Sequence, residues 1–305
     1  MTGKRVVAHL AGGLGNQLFI YAAAWALARR LDAALQFDTS AFTRDWEYKR
    51  KFALHNFRGP SGVPLQDYAA ADFLHRIYRK AMAQLTWLPP RFGPLLAERA
   101  DEVFCFDPNW NGLVPGVTGV LHVFGFCQNE AYFADHAEAL RAELILQFVP
   151  SPEAERFAAE MCGTQAVCVN LRRLHEVIPG TNIPKPGMKV LGVEYYHRAV
   201  NLVRERFPEA VFYCFGDSLE DVHALLPRDA KVVLAPALPD RPADICDFWL
   251  MQQCRHYIIA NSTFGWWAAW LGQKPGNMVV CPVTDGLKYK VPTAEGWIVT
   301  EAGMH

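Results

Sequence analysis

From Ala166 to Cys281 the chain alternates short apolar runs with longer segments of helical period, and this alternation narrows the fold more than any other feature. Strands are predicted at Ala166–Leu171, Val211–Phe215, Lys231–Leu234, Tyr257–Ala260 and Met278–Cys281. Helices are predicted at Val193–Phe207, Leu219–Leu226, Ala243–Cys254 and Phe264–Leu271. A helix between two strands returns the chain to the sheet edge it started from, so the strands run parallel and helices cover both faces. The start of the chain has the same logic. Arg5–Leu10 reads as a strand, Ala11–Gly15 as a glycine loop, Asn16–Leu31 as a helix and Ala34–Phe37 as a second strand ending at Asp38. Ligands of such sheets sit beyond the carboxyl ends of the strands, so chemistry belongs in the residues just after each one.

Between Thr39 and Leu113 the pattern loosens. Arg44 to Lys51 is a mixed-charge stretch, and Phe73–Leu88 reads as an amphipathic helix with His75, Arg76, Arg79 and Lys80 on its polar side. That face fits either a solvated surface or a peripheral contact with anionic lipid. A strand is predicted at Gly119–Phe126 and a helix at Glu130–Phe148. Pro150 to Glu153 punctuates the chain, dividing it into domains 1–150 and 151–305, which suits a length of 305 residues.

Composition excludes several classes. With 51% hydrophobic and 20% charged residues the chain is neither disordered nor fibrous. Its 30 basic against 31 acidic residues give a net charge of −1, so no global field attracts nucleic acid and a bound anion needs a local cluster. The eight cysteines form no C-x-x-C pair and mostly lie in apolar runs, which reads as free thiols in a reducing compartment. The N-terminal residues carry no apolar run of the signal-peptide kind, and Tyr257–Gln273 is too short and too polar for a membrane span. A cytoplasmic protein, with the basic helix at the inner face of the membrane, is the expectation.

Four post-strand segments carry candidate chemistry. The first, Gly12-Gly13-Leu14-Gly15-Asn16-Gln17, offers close backbone approach and a helix N-terminus. Gly13 and Gly15 match part of a dinucleotide fingerprint, with Asp38 near the expected acidic position, but Leu18 replaces the third glycine. The second is Arg172-Arg173, whose guanidiniums suit a diphosphate, followed by His175 and Glu176 on a long loop to Lys189. In the third, Asp217 can hold a hydroxyl of the ligand or cap the next helix. The fourth, Asn261-Ser262-Thr263-Phe264, sets small polar groups at a strand-to-helix junction. Phe264 is a candidate for lining a nucleotide pocket, whereas Trp266, Trp267 and Trp270 read as core. The chain has no Walker A lysine motif and no D-x-D pair. Arginine and helix N–H groups can stabilise a leaving diphosphate without a cation, which fits a nucleotide-sugar transferase.

Taken together, these segments resemble the alpha-1,2-fucosyltransferases of glycosyltransferase family eleven. The resemblance rests on Gly12 to Phe19 with Tyr21-Ala22, on Gly125-Phe126-Cys127-Gln128-Asn129-Glu130 with Tyr132-Phe133, on Glu194-Tyr195-Tyr196, on Phe215-Gly216-Asp217, and on Cys254 to Phe264 continuing through Trp266-Trp267. One motif departs. Where the family reads His-x-Arg-Arg-Gly-Asp, this chain has Asn170-Leu171-Arg172-Arg173-Leu174-His175. The resemblance implies an α/β GT-B-like fold, two Rossmann-like domains facing across a cleft, with the acceptor on the first and the donor on the second. It further implies GDP-β-L-fucose as donor, inversion at the anomeric carbon, no metal or other cofactor, and an oligosaccharide acceptor attacked at a hydroxyl, the 2-OH of a galactose-type residue. By position, Arg172 would grip the β-phosphate, Asn16 would lie near the fucose, and Asp247 would meet the base or ribose. Gly13, Gly15, Asn170, Arg173, Asp217 and Asn261 to Phe264 would complete the donor site, and His175 or Glu176 would be the base. Two other readings stay open: a binding protein without turnover, given Leu174-His175, and an NAD-dependent oxidoreductase built on Gly13, Gly15 and Asp38.

Overall fold

A computed structural model describes residues 3–44, 49–66, 97–99, 102–106, 119–172, 191–216, 219, 222–240, 242–283 and 293–302. The chain forms two compact units, Met1–Gln147 and Phe148–His305.

The first unit carries strands β1 (Arg5–His9), β2 (Ala34–Asp38), β3 (Leu65–Gln66), β4 (Ala97–Arg99), β5 (Glu102–Phe106) and β6 (Val120–Phe124). Its helices are α1 (Leu14–Leu31), α2 (Arg58–Ser61) and α3 (Ala137–Glu143). The sheet order is β3-β2-β1-β6-β5-β4, parallel except for the β4–β5 pair. Helix α1 is buried along nearly all of Leu14–Ala28, because its alanines let the backbone approach the sheet closely. Tyr21 meets Phe37 edge to face across that contact. Asp32 ends the helix in the left-handed conformation.

The second unit contains α4 (Pro152–Cys162), β7 (Gln165–Leu171), α5 (Val193–Arg206), β8 (Ala210–Gly216), α6 (Val222–Leu225) and β9 (Val232–Leu234). It continues with α7 (Ala243–Gln253), β10 (His256–Ile258), α8 (Thr263–Leu271), β11 (Val279–Pro282) and β12 (Ile298–Thr300). All its strands are parallel, in the order β12-β11-β10-β7-β8-β9. Read from the other edge this is the doubly wound Rossmann order, which reverses direction between β7 and β10. Val167, Val169 and Leu171 of β7 pack with Tyr195 and Val200 of α5, and the intervening Asn170 turns to the opposite face. Both units are thus Rossmann-like α/β layers, the expected fold class.

Several predicted elements are redrawn. The glycine loop is shorter, since Gly13 is the N-cap of α1 and Gly15 lies buried in its first turn. The helix predicted at Glu130–Phe148 is two 3-10 turns followed by α3. Its last residues run extended instead, with Leu146 bridging to Phe57 and Gln147 N–H donating to Asn56 O. Of the helix predicted at Leu219–Leu226, the described residues hold the four of α6. Helix α4 was signalled by its cap alone: Ser151 accepts from Ala154 N–H, and Pro152 occupies the first helical position. Of the seven cysteines whose side chains are described, Cys162 is exposed and the rest are buried thiols. The amphipathic helix predicted at Phe73–Leu88 lies outside the described residues.

Candidate functional site

The reversal between β7 and β10 is where a doubly wound sheet opens a ligand crevice, because connections leave in opposite directions there. Two of the predicted segments meet at it. The parallel register pairs Val169 with Ile258; carried forward, it sets Arg172 after β7 beside Asn261 after β10. Asn261 and Ser262 then lead into α8. Ser262 is its N-cap, extended in backbone and making no side-chain capping bond, and the first intrahelical bond runs from Trp266 N–H to Ser262 O. The N–H groups of Thr263, Phe264 and Gly265 therefore have no acceptor among the described residues. Three aligned N–H groups and the positive end of the helix dipole make an anion cradle.

The cradle is held from below. Trp266, Trp267 and Trp270 are fully buried, with Trp266 stacked on Trp270 and tilted against Trp297, so the helix is anchored by its apolar face. Asn170, only 3% exposed, lies under the first turn, where a Cβ on Gly265 would come within 2.9 Å of its Cγ. The Asn170 Oδ1 atom is buried without a hydrogen-bond partner. Phe264, half-buried, packs edge to face on Phe248 of α7 at 5.1 Å. The neighbouring Asp247 carboxyl is raised to about 6, first by burial and then by the charge of Asp244. The structure thus groups Asn170, Arg172 and Asn261 to Phe264, with Asp247 on the helix behind them. Arg173, His175, Glu176 and Asp217 lie outside the described residues.

The first unit builds a second cluster, beyond the carboxyl ends of the neighbouring parallel strands β1 and β6. Gln17 is fully buried and staples the glycine loop: its amide donates to Gly12 O and Lys51 O and accepts from Ala53 N–H. Arg50 is thereby held beside Gly13, whose added Cβ would lie 3.7 Å from Nη1. Gly12 has a φ of 77° and presses on Asn16, so a side chain there would be strained and would collide with the Asn16 amide. Asn16 Oδ1 accepts from Gln128 Nε2 at 2.9 Å. Gly15, within α1, does not face this cluster as a loop residue.

Sequence reasoning missed a buried polar chain on the same sheet. His9 Nδ1 donates to Asp38 Oδ2 at 2.7 Å, and His9 Nε2 meets His122 Nδ1 at 2.8 Å. Asp38 also accepts from Ser40 N–H and Oγ. Burial pushes the Asp38 carboxyl up, but the bonds from His9 and Ser40 outweigh it and hold it below its ordinary value. His122 is pushed down to about 3, chiefly by burial and then by His9. The only signal for this chain was that His9, Asp38 and His122 all fall on predicted strands. Asp38, 2% exposed and bonded on both oxygens, is not presented to a ribose, and Leu18 is core. The oxidoreductase reading loses Asp38, one of the three residues it was built on.

The sequence model described as "Glycosyl transferase family 11" matches residues 118–290. The chain belongs to that family. Among its relatives, an alpha-1,2-colitosyltransferase of Escherichia coli is 27% identical over 97% of this chain and 99% of its own length. The O-antigen biosynthesis glycosyltransferase WbnK of Escherichia coli is 25% identical over 90% of this chain and 92% of its own. Among solved structures, the fucosyltransferase NodZ from Bradyrhizobium is 14% identical, with a TM-score of 0.43 over 88% of this chain and 92% of that one. Among the described residues of this family-11 chain, no helix is long and apolar enough to cross a membrane.

Proposed function

We propose that this family-11 glycosyltransferase moves L-fucose from GDP-β-L-fucose to a glycan hydroxyl, the 2-OH of a galactose-type residue, with inversion and without a metal ion. The observation that carries the reading is the cradle of three unused N–H groups at the tip of α8, opposite Arg172. In this reading residues 151–305 take the donor and residues 1–150 the acceptor. The β-phosphate rests on the Thr263–Gly265 N–H groups and on Arg172, helped by Arg173. Asn170 supports the cradle, while Phe264 and Asp247 face the nucleoside. Gly13 and Asn16 belong to the acceptor-side unit in this reading.

The reaction is a single displacement. The acceptor oxygen forms a bond to the fucose anomeric carbon as that carbon's bond to the β-phosphate oxygen breaks, and GDP leaves with the electron pair. The acceptor proton passes to a base, for which His175 and Glu176 are candidates by position. Negative charge growing on the β-phosphate is met by groups already in place, so little reorganisation is needed as the bond breaks. The O-antigen biosynthesis relative supports a place in bacterial surface-polysaccharide assembly.

A second reading has one specific support. The first relative named above, matched over nearly the whole chain, is an alpha-1,2-colitosyltransferase, which supports colitose as the transferred sugar in place of fucose. Calorimetric titration with GDP, GDP-fucose, GDP-colitose, GDP-mannose and UDP-galactose tests both readings. Tightest binding of GDP-fucose supports the first, preference for GDP-colitose supports the second, and preference for UDP-galactose rejects both.

A further inference from the structure

Strand β6 ends at Phe124, and the four residues that follow are held in an unusual conformation. Gly125 has a φ of 94° and Cys127 a φ of 48°, a left-handed position that a cysteine rarely adopts. Between them Phe126 is turned outward, 46% exposed, while Cys127 is buried and Gln128 turns back to donate to Asn16. An isolated exposed phenylalanine is ordinary. This one is fixed by backbone strain on one side and by a side-chain amide pair on the other, just beyond the carboxyl end of a parallel strand, where ligands of such sheets gather.

The chemistry on offer is specific. The Gln128–Asn16 bond uses one amide hydrogen and one carbonyl oxygen, leaving Gln128 Oε1 to accept and the Asn16 NH2 group to donate. Vicinal sugar hydroxyls are both donors and acceptors and suit such a pair. A phenyl ring presents an electron-rich face to polarised C–H groups. A galactose-type pyranose, whose axial O4 gathers H3, H4 and H5 on one side, has such an apolar face beside its hydroxyls.

We infer that Phe126 and the Asn16–Gln128 pair form the acceptor subsite, with the ring stacked on the apolar face of a pyranose and the amides bonded to its hydroxyls. The inference rests on the proposed function and extends it.

The test titrates methyl β-D-galactopyranoside, methyl β-D-glucopyranoside and methyl α-D-mannopyranoside into the GDP-saturated full chain, read by saturation-transfer NMR. The wild-type chain takes up the galactoside most strongly, with saturation greatest at H3, H4 and H5. Phe126→Ala weakens that binding roughly tenfold, Phe126→Trp restores it, and Phe126→Leu, apolar but without a ring face, does not. Equal binding by Phe126→Ala or Phe126→Leu overturns the subsite, as does a GDP-loaded wild-type chain that takes up none of the three glycosides. A wild-type chain that fails to bind GDP overturns instead the donor reading beneath it.

Discussion

Gly265→Ala tests how the anion cradle is supported. The added Cβ would fall on the Asn170 amide oxygen, within 2.9 Å of Cγ and 3.2 Å of the Asn170 Cβ. Carbon atoms pack comfortably at about 3.5–4.0 Å, so the tip of α8 and β7 must separate by roughly 1 Å. Overpacking of this kind costs about 1–3 kcal/mol of stability. The same shift moves the Thr263–Gly265 N–H groups out of the ~2.7–3.2 Å range for a phosphate oxygen. Losing one charge-assisted bond, worth about 1.5–3 kcal/mol, weakens GDP by roughly 10- to 100-fold. Calorimetry with GDP and a thermal melt read the two effects separately. Asn170→Ala removes Oδ1 and Cγ, so the double variant should recover most of the lost melting temperature, a coupling that a double-mutant cycle measures directly. Wild-type stability and GDP affinity in Gly265→Ala would refute the reasoning.

Three further predictions follow from the same structure. Arg172→Ala should lower the transfer rate by about 10²–10³, the usual loss for one transition-state donor, with Arg172→Lys recovering only part; a wild-type rate in steady-state GDP release would reject the clamp. Transfer measured after dialysis against EDTA should be unchanged, and a loss restored by Mg²⁺ or Mn²⁺ would contradict metal-free stabilisation. Acid should destabilise the fold. His122 at about 3 and His256 at about 4 stay neutral when folded but bind protons near 6.5 when unfolded, so stability falls as pH drops through that window. Asp38, held below 3.8, adds to the loss at lower pH. Melting temperatures from pH 7.5 to 5 should fall less steeply in His122→Phe, and an identical slope would show that His122 does not carry the effect.

Much of the second unit was legible because its signals are local. Each apolar run and helical period is complete within a few residues, and strands buried on both faces tolerate only one pattern. The cradle could be read for the same reason: Asn261 to Thr263 is a strand-to-helix junction in sequence as in space. The first unit was less legible. Pairing of His9, Asp38 and His122 depends on which strands lie side by side, and nothing in the spacing of residues 9, 38 and 122 reveals that order. The exposed ring of Phe126 depends on left-handed backbone at Cys127, a position where a glycine or asparagine would have been the usual signal. The helix predicted at Glu130–Phe148 failed because the residues after α3 are recruited into extended contact with Asn56 and Phe57, a tertiary pairing that overrides local helical period.

A crystal structure of the full chain with GDP tests the central claim most directly. The β-phosphate oxygens should lie about 3 Å from the N–H groups of Thr263, Phe264 and Gly265 and from the Arg172 guanidinium. Phosphates bound away from the β7–β10 reversal, or bridged by a divalent ion in place of those groups, would contradict it.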